Sequence, residues 1–264
     1  MLNDLVSLTI FDCITFLHKT HSYLIDGRPS AGVSVTGLLG KYKPEFEADK
    51  WAKIKADQRG ITADEIKEEW RINNLYATTR GSIFHNYVEN YYDNKVIPYE
   101  QSGVEKDLGS DLHVKLREEL SNLIQQFNKF YNETRHLLPV KKELVIGDIH
   151  DTKICGMLDM LAYNTKTNCY EIYDYKTNRD IDFTSKFEKK FYEPITHLDV
   201  CEFNTYSLQL SIYQYIIEKY TSIKIAGTYV VWFNVKNESY KLIPLLNLSE
   251  EVKSIFKHFC NKAA

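Results

Sequence analysis

The chain has 264 residues, 44% hydrophobic and 26% charged, with a net charge of −3. That is an ordinary globular composition, with material for one large domain, and it excludes a disordered or low-complexity polypeptide. The slight negative charge argues against a nonspecific nucleic-acid coat, although it leaves room for a local basic groove. The five cysteines (Cys13, Cys155, Cys169, Cys201, Cys260) are scattered and never spaced Cys-x-x-Cys. Zinc, an iron–sulfur cluster and a disulfide framework are therefore not expected, and a reducing, cytoplasmic compartment is. No signal-peptide pattern and no apolar run of transmembrane length is present, so no membrane association is expected.

Residues 14–26 mix β-branched, aromatic and polar side chains ahead of Gly27-Arg28-Pro29, which predicts a hairpin followed by a turn. Ser34 or Thr36 then offers a helix N-cap. Residues 43–78 are highly charged, with Trp51 and Trp70 set into helical patterning and a Thr62/Glu65 capping box. They predict two helices projecting as a hairpin. A third helix is expected over Leu75–Asp93 and a fourth, amphipathic, over Asp107–Arg135, with Leu116, Leu120, Leu123, Ile124 and Phe127 on one stripe.

From Lys142 the period becomes that of strands, predicted over Glu143–Ile149, Lys153–Tyr163 and Cys169–Lys176. Residues 205–220 return to a helical pattern, Ile225–Val235 and Tyr240–Leu245 read as strands, and 249–261 as a closing helix. This order predicts a single α/β domain over 1–264 with a central mixed β-sheet flanked by helices.

Three groups of residues carry candidate chemistry. The turn at 164–168 makes the second and third strands a hairpin, in which the numbers of facing residues add to about 332 or 333; Asp159 and Asp174 add to 333. They should therefore lie opposite each other or one position off, about 5 Å apart at Cβ. Carboxylates that close repel unless a cation lies between them, and Lys176 shares their sheet face. Asp159 also interrupts the apolar run Gly156–Leu161, where an unpaired acid is costly. Oxygen ligands of this kind suit Mg²⁺ or Mn²⁺. The second group, Gly81, His85 and Glu89, is spaced by four along one helical face, as is the third, Gln209 and Tyr213. Taken singly, each of these groups is commonplace.

In combination and in this order, Gly81/His85/Glu89, Gly156/Asp159, Asp174-Tyr175-Lys176-Thr177 and Gln209/Tyr213 resemble the PD-(D/E)XK nuclease superfamily, and within it the RecB-like branch. Ser34-Val35-Thr36 is similar to an element of phage exonucleases and of the mitochondrial genome maintenance exonuclease. The resemblance implies a restriction-endonuclease-like core over 81–245, with 43–78 as an arch-like helical insert. It implies metal binding by Asp159, Asp174, His85 and the Tyr175 carbonyl, and catalysis by Lys176 with Asp159, Asp174 and Gln209. Glu89 and Glu143 become outer groups around the metal, with Tyr213 and Thr177 toward DNA; separately, the clustering of Lys186, Lys189 and Lys190 after the catalytic strand suggests a basic channel for DNA. No iron–sulfur cluster is implied, because the cysteines do not reproduce the spacing some relatives carry. The implied activity is Mg²⁺- or Mn²⁺-dependent DNA hydrolysis leaving a 5′-phosphate, by a single-strand-preferring exonuclease in replication, recombination, repair or phage genome processing. The alternatives are a structure-specific or restriction-type endonuclease, and an inactive nucleic-acid-binding protein on the same fold.

Overall fold

A computed structural model describes residues 2–30, 33–95 and 110–263. The N-terminal residues form a short helix α1 (Leu2–Ser7) and a 3-10 turn, then a small antiparallel sheet of β1 (Ile14–Leu17), β2 (Ser22–Ile25) and β3 (Arg28–Pro29). The expected hairpin is there, but Arg28 and Pro29 are not all turn. The chain reverses at Asp26-Gly27, both in the left-handed region, and Arg28–Pro29 pairs back on β2.

Helix α2 (Val35–Lys41) is capped by Ser34, whose hydroxyl accepts the Gly37 N–H at 3.0 Å. The helical hairpin comprises α3 (Ala48–Arg59) and α4 (Ala63–Tyr92), joined by Gly60 at φ 67° and the Thr62/Glu65 capping box. Here the structure differs from the predicted three-helix pattern. No proline or glycine occurs between Arg71 and Arg80, and the Thr78 hydroxyl bonds back to the Asn74 carbonyl within the helix instead of capping a new one, so the second arm of the hairpin and the His85 helix are one continuous helix of 30 residues. Helix α5 covers Ser110–Glu133; the predicted start at 107–109 lies outside the described residues.

The main sheet has the order β4 (Leu137–Gly147), β5 (Cys155–Asn164), β6 (Cys169–Lys176), β7 (Ile225–Trp232), β8 (Lys241–Pro244). Only β6 and β7 run parallel, and α6 (Glu202–Tyr220) makes that crossover. Helix α7 (Ser249–Ala263) closes the chain. This is the predicted mixed sheet flanked by helices. Strand β4 begins six residues earlier than predicted, because it is an edge strand and tolerates Pro139 at a register shift between Pro139 and Lys141.

The strands send side chains to two cores, and on β5 the alternation shifts at Asp159, between Leu158 and Met160. Ile146, Leu158, Leu161 and Ile172 pack with α2, α6 and α7. Met160, Ala162, Tyr173 and Tyr175 pack with Phe84 and Val88 of α4 and Leu116–Phe130 of α5. The continuous α4 thus carries one end of the molecule's hairpin while its other end is fixed in the second core. Among the described residues no helix is long and apolar enough to cross a membrane.

Candidate metal centre

The hairpin of β5 and β6 keeps the predicted register: facing pairs run from Asn164↔Cys169 to Met160↔Tyr173. Backbone pairing stops there, one position before Asp159 would meet Asp174. Asp159 then substitutes its side chain, and Oδ2 accepts the Tyr175 N–H at 2.7 Å. The acid that looked costly in an apolar run is therefore satisfied by the strand end beside it.

On the other side of β5, the ladder with β4 runs through Lys142↔Met160 and Leu144↔Leu158 and skips the position between them, where Glu143 faces Asp159. Glu143 has φ 44°. A non-glycine residue there costs of order 1–3 kcal/mol, and such outliers gather at functional sites. Ligand atoms of Glu143, His85 and Asp159 all lie within 4.8 Å of one another, and His85 Nδ1 is 3.6 Å from Asp159 Oδ2. His85 reaches this point from α4, one turn before Glu89, whose charge also bears on Glu143. Glu143, expected at the margin, stands in the same candidate ligand group as His85 and Asp159.

Asp174 is buried, at 2% exposure, in ion contact with Lys176, yet its Oδ2 has no hydrogen bond of proper geometry. Burial first, then the Asp159 carboxylate, pushes Asp174 up to about 6 despite the opposing pull of Lys176. Burial alone would discharge Lys176, but Asp174 and Asp159 outweigh it and hold the ammonium charged. Four carboxylates (Glu89, Glu143, Asp159, Asp174) share this region with one lysine. Such a donor set, with more carboxylates than the one lysine can neutralise and a histidine nitrogen among them, fits a divalent cation.

Glu143 is pushed from 4.5 to about 8 by burial and then by the charges of Asp159, Glu89 and Asp174. Glu143 and Asp174 both bind a proton more tightly folded than unfolded, so without metal the protein loses stability as pH rises from about 4.5 to about 8. Thermal melts in EDTA should show Tm falling across that window. Mn²⁺ competes with those protons, so it should raise Tm more at the alkaline end than at the acid end. A Tm shift by Mn²⁺ that does not vary with pH would contradict this arrangement.

The remaining sequence candidates surround this centre unequally. Gln209 Nε2 donates to the Tyr213 hydroxyl at 3.1 Å, and the pair lies within electrostatic reach of Asp174 and Lys176. Tyr213 is 2% exposed and packs on Gly156, where an added Cβ would come within 2.5 Å of Tyr213 Cε1. That contact explains the glycine three residues before Asp159. Gly81 faces Thr177 with space for an ordinary contact, 3.7 Å to its Oγ1. Tyr175 contributes its N–H to Asp159, while its ring lies in the second core near the Tyr92 hydroxyl. Lys189 is half-buried, and Lys190 is paired with Asp199 at 2.5 Å.

Two neighbours were not read from the sequence. Lys176 Nζ lies 5.1 Å over the Tyr206 ring. Tyr206, Gln209 and Tyr213 are one stripe of α6 at i, i+3 and i+7, so periodicity could have found the first from the other two. Buried Arg80, immediately before Gly81, donates to Glu119 at 2.5 Å and to the Thr177 carbonyl at 2.8 Å, tying α4 and α5 to the end of β6. Nothing local announces that pairing.

A sequence model of the PD-(D/E)XK nuclease superfamily matches residues 62–263. A solved structure described as "Crystal structure of SSO0001" is similar at 11% identity with a TM-score of 0.30, covering 71% of this chain and 72% of the other. No curated protein matches.

Proposed function

The chain belongs to the PD-(D/E)XK nuclease superfamily, and from that premise we propose that it is a Mg²⁺- or Mn²⁺-dependent deoxyribonuclease of the RecB-like branch, acting as an exonuclease that prefers single strands. The observation that carries this reading is the convergence of His85, Glu143 and Asp159 beside the buried Asp174–Lys176 pair. His85, Glu143, Asp159 and Asp174 are the residues that would hold the metal. A bound divalent ion supplies Lewis-acid activation of water and neutralises phosphate charge. The protein's own contribution is positional. Asp174 fixes the Lys176 ammonium from one side and the Tyr206 ring supports it from another, so its charge is aimed before any substrate arrives. Water adds to phosphorus as one P–O ester bond breaks, leaving a phosphate monoester and a free hydroxyl, with charge building on the phosphoryl oxygens near Lys176. The five free cysteines suit the reducing, cytoplasmic setting inferred for it.

End-labelled single- and double-stranded DNA incubated with Mg²⁺, Mn²⁺ or EDTA tests this. Cleavage should require the metal, favour the single strand and shorten it stepwise from one end. Internal cuts in circular DNA would replace the exonuclease reading with an endonuclease, and cleavage surviving EDTA would overturn the metal-dependent one.

A further inference from the structure

The cations that crowd the helical hairpin and the segment after β6 divide into two groups. Arg59 is spent on Glu69 at 2.6 Å, Arg71 on Glu68 at 2.7 Å, Lys186 on Asp182 at 2.6 Å and Lys190 on Asp199 at 2.5 Å. Lys53, Lys55 and Lys189 make no ion pair within 4 Å among the described residues, though Glu47 lies within electrostatic reach of Lys189, and of the three Lys55 and Lys189 come together. These two come from different elements, α3 and the 183–190 segment, yet they line the same groove of about 420 Å³ together with Phe46, Trp51, Ile54 and Phe187. The Trp51 and Phe187 rings stand 5.5 Å apart, inclined at 41°. Phe46 and Phe187 remain 63% and 64% exposed. Large aromatic side chains held this open have an unmet partner.

We propose that this groove, whose lining includes none of the metal-centre residues, is a base-stacking subsite for single-stranded nucleic acid; it rests on the nuclease reading and adds where the strand runs. Three aromatic side chains line it with Ile54 and Gln58, its charged side chains are two lysines, and the acid within their reach, Glu47, is paired with Lys50. That is the complement of a chain with aromatic bases and anionic phosphates. A duplex keeps its bases stacked on one another and cannot offer them to Trp51 and Phe187. A second cavity, of about 300 Å³, is bounded by Lys43, Asn178, Glu202, Thr205 and Tyr206. Tyr206 lies beneath Lys176. Lys43 sits 5.7 Å over Phe191, which is two residues from Lys189, and it is three residues from Phe46 in the chain.

The test uses fluorescence anisotropy of a labelled oligo(dT) and of a blunt duplex, both in EDTA, with Phe187→Ala and with Lys55→Glu/Lys189→Glu. Hydrolysis of bis(p-nitrophenyl) phosphate, too small to span the two sites, is measured in parallel with Mn²⁺. Phe187→Ala should weaken oligo(dT) about 10-fold. The lysine pair should flatten the salt dependence by one to two counterions. Duplex affinity and small-diester hydrolysis should stay within about twofold of the parent protein, since neither reaches the groove. Unchanged oligo(dT) affinity, or an equal loss on duplex, overturns the subsite. If the parent protein hydrolyses neither DNA nor the small diester, the nuclease reading fails, while the binding measurements still judge the groove on their own.

Discussion

Lys176→Ala is expected to reduce DNA cleavage by at least about 10²- to 10³-fold while leaving a folded protein. The effect is large because the ammonium is not a mobile surface charge. It lies at the end of β6, in ion contact with buried Asp174 and over the Tyr206 ring, so it meets the developing phosphoryl charge without reorganising. Truncation removes that stabilisation and also leaves Asp174 buried without its counter-charge. Its carboxyl should then rise further above the ordinary range, so metal affinity should fall as well, most visibly at lower pH. Single-turnover cleavage at saturating Mn²⁺, beside calorimetric Mn²⁺ titrations at two pH values, separates the two losses. Lys176→Arg retains a charge but not its shape over Tyr206, and should recover only part of the rate. A Lys176→Ala protein within threefold of the parent at saturating metal would remove Lys176 from the reaction.

Much of this centre was legible because β-hairpins obey arithmetic. A short turn at 164–168 fixes the register of β5 on β6, and register alone brings Asp159 to Asp174 and Tyr175. The helical spacing of Gly81, His85 and Glu89 likewise survives, since α4 is regular where it faces the sheet. Glu143 was harder to read. Its role depends on a positive φ in an edge strand and on a register shift near Pro139, and a single sequence marks neither. The length of α4 is hidden in the sequence for a related reason: a charged segment followed by an apolar one looks like two helices, whereas one helix can serve first as an exposed arm and then as a core element. Arg80 illustrates the remaining limit. Its partners are 39 and 97 residues away, and no local pattern encodes a buried arginine's distant carboxylate or carbonyl.

That arginine yields the second large expected effect. Arg80→Ala should destabilise the protein by roughly 3–5 kcal/mol, because it strands the Glu119 carboxylate in a nearly closed environment. For a chain of this length that is a drop in Tm of about 10 °C. Lys115, 3.9 Å from Glu119 and more exposed, can relieve part of the loss, which favours the lower end of the range. Stability is not the whole effect, since the other guanidinium nitrogen holds the Thr177 carbonyl and with it the residue next to Lys176. The double variant Arg80→Met/Glu119→Leu separates the two roles. Replacing both charges with apolar groups removes the stranded carboxylate and should recover most of the lost Tm. It returns no donor to Thr177, so the end of β6 stays unanchored and cleavage should remain up to about 10²-fold low, with a change in kcat rather than KM. Full recovery of both Tm and kcat in the double variant would make Arg80 a packing element alone; recovery of Tm without kcat identifies it as the residue that positions the end of β6, and Lys176 through it.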